Sequence, residues 1–258
     1  MRIARFTLDL DPQYGVVEGE EGDEVIHAIA GDPLYTEIAP TGKTYPIDDV
    51  RLLAPVIPRS KLIGVARNYR AGGTDPGGSP AGPVWFGKPN TSVCGPGDPV
   101  VLSRQVQAPA YLEAELAVVI GRIVKDVTVA DAAAVIFGYT VANDVGYRFE
   151  SGDPAKFFGK YRDTFTPLGP WIETDLDPAA GLAVRSWVDG DVKQDGSTAD
   201  LVTGVLELVA TASAVCTLLP GDVLLTGTPA GASIIEAGQR VTCEVGGIGA
   251  LTNPVVRR

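Results

Sequence analysis

Short apolar runs broken by glycine, proline and acidic residues recur along this chain far more often than any sustained helical period. Met1 to Leu10 alternates polar and apolar residues as a half-buried strand does, and Glu24-Val-Ile-His-Ala-Ile29 repeats the pattern after a Gly, Glu and Asp break. Residues 1 to 57 therefore predict a small β-rich N-terminal domain, with Pro55 and Pro58 bracketing the junction to a larger unit over 58 to 258. In that unit Lys61-Leu-Ile-Gly-Val65, Pro83-Val-Trp-Phe86 and Pro99-Val-Val-Leu102 read as strands. Leu116-Ala-Val-Val-Ile120 is continuously apolar, which suits a strand buried on both faces. Two helices are expected. Thr128 caps one over Val129 to Ile136, and Asp200 leads into another over Leu201 to Val215, where Leu201, Val205, Leu208 and Ala212 recur at helical spacing. Turn-then-strand patterns at Pro220-Gly-Asp-Val-Leu-Leu225 and Ala237 to Val245 complete a β-dominated α+β fold.

One stretch admits neither period. Residues 70 to 83 contain five Gly and three Pro, which predicts an irregular loop of the sort that often covers an active site.

Composition narrows the function classes. With 258 residues, 45% of them hydrophobic, the chain can build a full core, yet no run approaches the roughly eighteen apolar residues of a membrane span. The first residues lack the apolar stretch of a secretion signal, so a cytoplasmic location is expected. Cys94, Cys216 and Cys243 are widely separated and read as small buried hydrophobes, not as a disulfide framework or a thiolate metal site. A net charge of −11 argues against a nucleic-acid partner. Against that background, Arg67, Arg70, Lys88, Arg148, Lys160 and Arg162 all fall between residues 61 and 165, the makings of a local positive pocket for a small anion.

His27 is the single histidine and lies in the lead segment, so Ser-His-Asp chemistry and histidine-rich zinc sites are set aside. Carboxylates remain. Glu113 and Glu115 are two apart before the apolar strand, and on an extended chain both point to one face. Two like charges beside a core call for a counterion, although alternating acids on a solvated strand face are also common. Asp144, at the end of Thr140-Val-Ala-Asn-Asp144, is the candidate third ligand from a neighbouring strand. An all-oxygen set favours Mg²⁺ or Mn²⁺ with open positions for water and a bidentate ligand. Thr226 and Thr228, in Leu225-Thr-Gly-Thr-Pro-Ala-Gly231, sit in a turn suited to holding a carboxylate or oxyanion. Neither a phosphate-binding loop nor a dinucleotide fingerprint is present.

Taken in order, Asn68-Tyr69, Lys88-Pro89, Gly95-Pro-Gly-Asp98, Glu113-Ala-Glu115, Val141 to Val145, Lys160 with Asp163-Thr-Phe165, Pro167-Leu-Gly-Pro-Trp171, Gln194-Asp-Gly196 and Leu225 to Gly231 resemble the fumarylacetoacetate hydrolase family from about residue 60 to 256. The resemblance implies a mixed β-sandwich roll, a homodimer, and a small anionic oxo acid chelated by Mg²⁺ or Mn²⁺ on Glu113, Glu115 and Asp144. It also implies Lys160 as a catalytic group, with Arg67, Tyr69, Lys88, Arg148 and Thr228 around the substrate. Two departures stand out. Gly72 and Asp75 occupy the places of the family's catalytic His and Glu, and Gly146-Tyr-Arg-Phe149 replaces the usual segment after the aspartate, keeping only Arg148. The expectation is therefore enolate chemistry on a 2-oxo or β-oxo acid, by decarboxylation or isomerisation. The alternatives are C–C hydrolysis, with Asp75 as a substitute base, and a non-catalytic binder or a member recruited to specialised biosynthesis.

Overall fold

A computed structural model describes residues 1 to 70, 82 to 150 and 152 to 258. The lead segment forms antiparallel hairpins from β1 (Arg2–Thr7), β2 (Gln13–Glu18), β3 (Val25–Ile29) and β4 (Pro40–Pro46), and β5 (Arg51–Leu53) returns to pair with β1. The chain continues through β6 (Leu62–Ala66), β7 (Val84–Lys88), β8 (Val93–Cys94), β9 (Val100–Leu102), β10 (Ala110–Leu112), β11 (Ala114–Ile120), β12 (Ile136–Asn143), β13 (Gly146–Tyr147) and β14 (Thr166–Glu173). After the hairpin β15 (Ala183–Val188) and β16 (Asp191–Ser197) come the helix α1 (Val205–Val215), β17 (Val223–Leu225), β18 (Ser233–Ile235), β19 (Arg240–Val245) and β20 (Gly249–Arg257).

The largest sheet runs β4-β3-β2-β1-β14-β12-β11-β17-β6-β7, so the lead hairpins extend the main sheet through the β1–β14 pair. A second sheet, β16-β15-β19-β20-β9, packs against it, and β13-β10-β18 forms a small third sheet. This is the β-dominated fold that the patterning predicts.

Strand β11 explains why its sequence does not alternate. Ala114, Leu116, Val118 and Ile120 face one core, shared with Val184, Val241 and Leu251 of the second sheet. Ala117 and Val119 face the other, shared with Ala142, Leu168 and Leu225. Each full burial of a Leu or Val contributes about 1.5–3 kcal/mol, so a polar residue on this strand is tolerated only where something holds it. Glu115 is that residue, on the face of Ala117 and Val119.

Both expected helices are corrected. Val129 to Ile136 is a single 3₁₀ turn, Ala132–Val135, because Thr128 and Asp131 lock a local turn and Ile136 already belongs to β12. A β-branched and aromatic run, Val135-Ile136-Phe137, favours the strand over nucleating so short a helix. The second helix begins at Val205, not Leu201: Thr198–Asp200 is a separate 3₁₀ turn, Leu201 bridges to Tyr69, and Glu207 accepts the Gly204 amide at 3.2 Å to start α1. Among the described residues no helix is long and apolar enough to cross a membrane. All three cysteines are free, and burial pushes the Cys94 thiol up to about 12.

Candidate functional site

Adjacent strands bring the acids together. Ala114 of β11 pairs with Asn143 of β12, and one residue beyond, the Asp144 amide donates to the Glu113 carbonyl at 2.8 Å. Asn143 Oδ1 accepts the Glu113 amide at 3.1 Å, which fixes the short break between β10 and β11 where Glu113 sits. Glu113, Glu115 and Asp144 each offer a carboxylate oxygen, and these oxygens lie within 4.8 Å of one another. Glu115 and Asp144 are buried, while Glu113 is partly open to the cavity.

Cations surround two of the three acids. Lys160 Nζ donates to Glu113 at 2.5 Å and to Asp144 Oδ2, and lies 4.8 Å from the Phe86 ring centroid. Lys88 Nζ donates to Asp144 Oδ1, to the Val145 carbonyl at 3.0 Å and to the Phe165 carbonyl at 2.7 Å. Arg148 donates to Glu113 at 2.9 Å and stacks over the Tyr111 ring. Burial works against ionisation of Asp144, yet Lys160 and Lys88 outweigh it and hold this carboxyl below the ordinary aspartate value. Burial likewise opposes the Lys160 charge, but Asp144, Glu113 and Glu115 win and keep its ammonium above the ordinary lysine range.

Glu115 differs. It has no salt-bridge partner among the described residues and accepts one backbone bond, from the Gly227 amide at 2.7 Å. Burial, then the neighbouring Asp144, push it well above the ordinary glutamate value. An all-oxygen donor set that includes one buried carboxyl without a cation fits a hard dication, which would relieve that penalty.

The acids form one wall of a cavity of about 750 Å³. Arg67, Arg70, Arg148, Lys156 and Lys160 all line it, so an acidic protein presents five cations to one small volume. Arg67 adopts φ 60°, an uncommon conformation for a non-glycine residue, on a segment that Asn68 ties to the Thr226 carbonyl at 2.8 Å and the Thr203 carbonyl at 3.0 Å. Tyr69 also lines the cavity; its hydroxyl is buried and has no hydrogen-bond partner among the described residues. Burial keeps that phenol protonated far into alkaline pH.

Of the residues singled out from sequence, Glu113, Glu115, Asp144, Lys160, Arg67, Tyr69, Arg148 and Thr228 meet at this cavity. Lys88 does not line it: wholly buried, with all three protons committed to protein acceptors, it stands behind Asp144. Asp75 and Gly72 lie outside the described residues. Thr226 is fully buried and donates to the Leu116 carbonyl at 2.9 Å, a structural bond. His27 pairs with Glu18 and Thr44 on the lead hairpins. Lys156, on the 3₁₀ turn Pro154–Gly159, is an addition to the site, and Gln194 stands behind it, donating to Thr228 Oγ1 at 2.7 Å and to the Pro229 carbonyl at 2.8 Å. Lys156 precedes Lys160 by four residues, a spacing that could have flagged it.

Comparisons with known proteins bear on the same region. The family model described as fumarylacetoacetate (FAA) hydrolase C-terminal matches residues 61–256, and one described as Rv2993c-like, N-terminal matches residues 1–55. Protein Rv2993c of Mycobacterium tuberculosis is 44% identical over all of this chain and 99% of its own length. The mitochondrial oxaloacetate tautomerase fahd2 of Xenopus laevis is 37% identical over 81% of this chain and 69% of its own length. Among solved structures, 5-carboxymethyl-2-hydroxymuconate delta-isomerase from Mycobacterium smegmatis superposes with a TM-score of 0.92 at 46% identity, covering both chains fully. Maleylpyruvate hydrolase from Sphingobium sp. SYK-6, in complex with manganese(II) and pyruvate, superposes with a TM-score of 0.82 at 32% identity, covering 100% of this chain and 99% of that one.

Proposed function

This chain is an enzyme of the fumarylacetoacetate hydrolase family, and from that premise we propose that it acts on a small 2-oxo or β-oxo acid by enolate chemistry, in the direction of tautomerisation, double-bond isomerisation or decarboxylation. The observation that carries the reading is the convergence of Glu113, Glu115 and Asp144 on one point at the wall of a cavity lined by five cations. Those three carboxylates would hold Mg²⁺ or Mn²⁺. When bound, the dication supplies Lewis-acid polarisation of the oxo group and offsets the charge that develops on its oxygen.

The chain's own residues supply the rest. Lys88 fixes Asp144, Arg148 fixes Glu113 and the Gly227 amide fixes Glu115, so the carboxylates are oriented before any ligand arrives. Lys160, held as an ammonium by the carboxylates around it, is placed as an electrostatic partner for an enolate. Tyr69 keeps its proton, and its buried hydroxyl has no acceptor among the described residues. Arg67, Arg70 and Lys156 draw in the carboxylate of an oxo acid.

Two relatives favour the same direction by their own activities, a tautomerase and an isomerase. The absence of His at the family's catalytic position supports it further: hydrolysis needs water deprotonated beside the carbonyl, and general-base help is worth about a hundred- to ten-thousandfold. The maleylpyruvate hydrolase likeness keeps C–C hydrolysis as the second reading. Turnover of oxaloacetate and acylpyruvates should require Mg²⁺ or Mn²⁺ and stop on addition of EDTA. Products separate the readings, since hydrolysis gives two acids, the one formed at the attacked carbonyl carrying the solvent oxygen, whereas tautomerisation or CO₂ release gives no such pair. Activity indifferent to chelation would end the proposal.

A further inference from the structure

A second cavity, of about 350 Å³, is lined both by the lead strands and by the segments around β6, β7 and β17. It shares no lining residue with the cavity of the three acids. Arg59 and Gly221 line it just before β6 and β17, and these two strands run parallel. Arg67 and Thr228, past the opposite ends of the same strands, line the acid cavity. From Leu62 to Ala66, β6 alone spans about 13 Å at the usual rise per residue, so the two cavities are separate volumes.

Strand pairing builds one side of it. Arg5 of β1 sits opposite Tyr14 of β2, so their side chains share a face, while Ala4 and Phe6 point into the core on the other. Asp32 builds the next part: its Oδ1 accepts the Leu34 amide at 3.0 Å and its carbonyl accepts the Tyr35 amide at 2.9 Å, a turn that delivers Leu34 and Tyr35 to the cavity. The Tyr35 hydroxyl donates to the Pro220 carbonyl at 3.0 Å, which pins the ring, and the Arg59 guanidinium lies over that ring at 4.2 Å from its centroid. Stacking of this kind leaves the N–H fork of Arg59 uncommitted. Arg5 makes one long bond, to the Ala54 carbonyl at 3.4 Å. Among the described residues the arginines paired with carboxylates are Arg51, Arg148 and Arg185, so neither guanidinium of this cavity has a counterion, in a chain whose 32 acidic residues outnumber its 21 lysines and arginines. Asp32 lines the cavity without pairing to either and stands beside Tyr14 instead; burial, then Asp32, push that phenol up to about 12, so it offers a proton throughout the neutral range.

We propose that this cavity is a second binding site, for a small organic anion whose phosphate or carboxylate head lies between Arg5 and Arg59 and whose carbon body rests against Leu34, Val56 and Ile57. The planar guanidinium fork matches an oxyanion, and two of them on one cavity supply the charge that such a head requires. A bare inorganic ion would leave the apolar wall of Leu34, Val56 and Ile57 facing water, whereas a carbon skeleton covers it. The inference is independent of the oxo-acid reading, since it uses none of the residues that carry that reaction.

The test is NMR titration of the methyl-labelled protein with phenyl phosphate, benzoate and inorganic phosphate, read at the methyl groups of Leu34, Val56 and Ile57. Those signals should shift and saturate with phenyl phosphate or benzoate, whose order identifies the preferred head, and inorganic phosphate should bind several-fold more weakly. Arg59→Gln should weaken the organic anions about ten- to hundredfold, the range of one charge-assisted hydrogen bond. Arg59→Lys, which keeps the charge and loses the fork, should fall between. Arg5→Gln is the second variant and should weaken them likewise, while Arg67→Asn, in the acid cavity, should leave these shifts as they are. Shifts that grow without saturating, or wild-type affinity retained in both Arg59→Gln and Arg5→Gln, would overturn the proposal. So would binding that Arg67→Asn abolishes, since the probe would then occupy the acid cavity alone. Equal affinity for inorganic and phenyl phosphate would strike out the organic body.

Discussion

The backbone amide of Asp144 donates to the carbonyl of Glu113 at 2.8 Å, although the two residues are thirty-one positions apart. That bond continues the ladder of β11 and β12 one residue past its last pair, Ala114 with Asn143. It joins the ends of two strands whose side chains would otherwise diverge, and it is the reason three acids of one charge share one small volume. Backbone pairing enforces the proximity, and the unfavourable electrostatics follow from it.

Glu115 bears the largest share of that penalty, and Glu115→Gln should reveal it. Saturating Mn²⁺ at a hundred times its dissociation constant stabilises a one-site protein by about 2.7 kcal/mol. The variant should lose most of that metal-induced rise in melting temperature. In EDTA the same variant should melt at or above the wild-type temperature, because the amide carries no charge to bury. Thermal melts with and without Mn²⁺ check both halves.

The pH dependence has a definite sign. The folded pKa of Glu115 is raised, so from the ordinary glutamate value upward the folded state binds a proton that the unfolded state has released, and stability falls as pH rises. Asp144 acts oppositely: its folded pKa is depressed, so its contribution is present above the ordinary aspartate value and is lost only in strong acid. In EDTA, lowering the pH from 8 to 5 should therefore raise stability, and Glu115→Gln should flatten the slope. With Mn²⁺ present the trend should reverse, since protons compete with the metal. Denaturant midpoints along a pH series read all three curves.

Lys88 tests how far the orientation of Asp144 depends on a buried charge. Lys88→Met leaves the Asp144 carboxylate with one cationic partner in place of two, in a fully buried setting. Breaking such a pair typically costs about 3–5 kcal/mol. Adding Asp144→Asn should recover part of the loss, because the two changes share one interaction. Urea unfolding of the two single variants and the double variant measures the coupling.

Tyr69 separates function from stability. Its hydroxyl is buried without a partner among the described residues, so Tyr69→Phe removes no bond there and should leave the melting temperature unchanged or slightly higher. If the phenol donates to a ligand oxygen, kcat/KM should fall about tenfold or more. A fall in both stability and turnover would point instead to a structural role.

Much of this was legible before the structure. Continuous apolar residues marked β11, and alternation put Glu113 and Glu115 on one face, because strand periodicity is local. Strand β14 was not read, although all of Thr166–Glu173 is buried, since Pro167, Gly169 and Pro170 imitate a turn. The β15–β16 hairpin was also passed over. Asp189-Gly190, with φ 52° and 89°, is the dipeptide that such a two-residue turn requires. Lys88 counts, by the resemblance and by its place among the clustered cations, as a group around the substrate; its burial arises from three acceptors that only the tertiary fold assembles. Gln194 was visible as part of a motif, but its partners lie 80, 34 and 35 positions away along the chain.

The cations of the cavity fall into two groups that should respond differently to substitution. Lys160 and Arg148 are spent on the acids, whereas Arg67, Arg70 and Lys156 have no salt-bridge partner among the described residues. Charges of the second kind act on a ligand before and during binding and not on the carboxylates, so they belong to capture. Arg67→Asn keeps a side chain tolerant of φ 60° while removing the charge, which avoids confusing backbone strain with electrostatics. With oxaloacetate as substrate, Arg67→Asn and Arg70→Gln should each raise KM about three- to tenfold with kcat nearly unchanged, the signature of lost uniform binding. The double variant should also show a shallower fall of kcat/KM between 20 and 200 mM salt, values chosen because the Debye length shrinks from about 20 Å to under 10 Å across roughly that range. A drop in kcat with KM preserved would move these arginines from capture into the chemical step, and steady-state kinetics at two ionic strengths decides between the two.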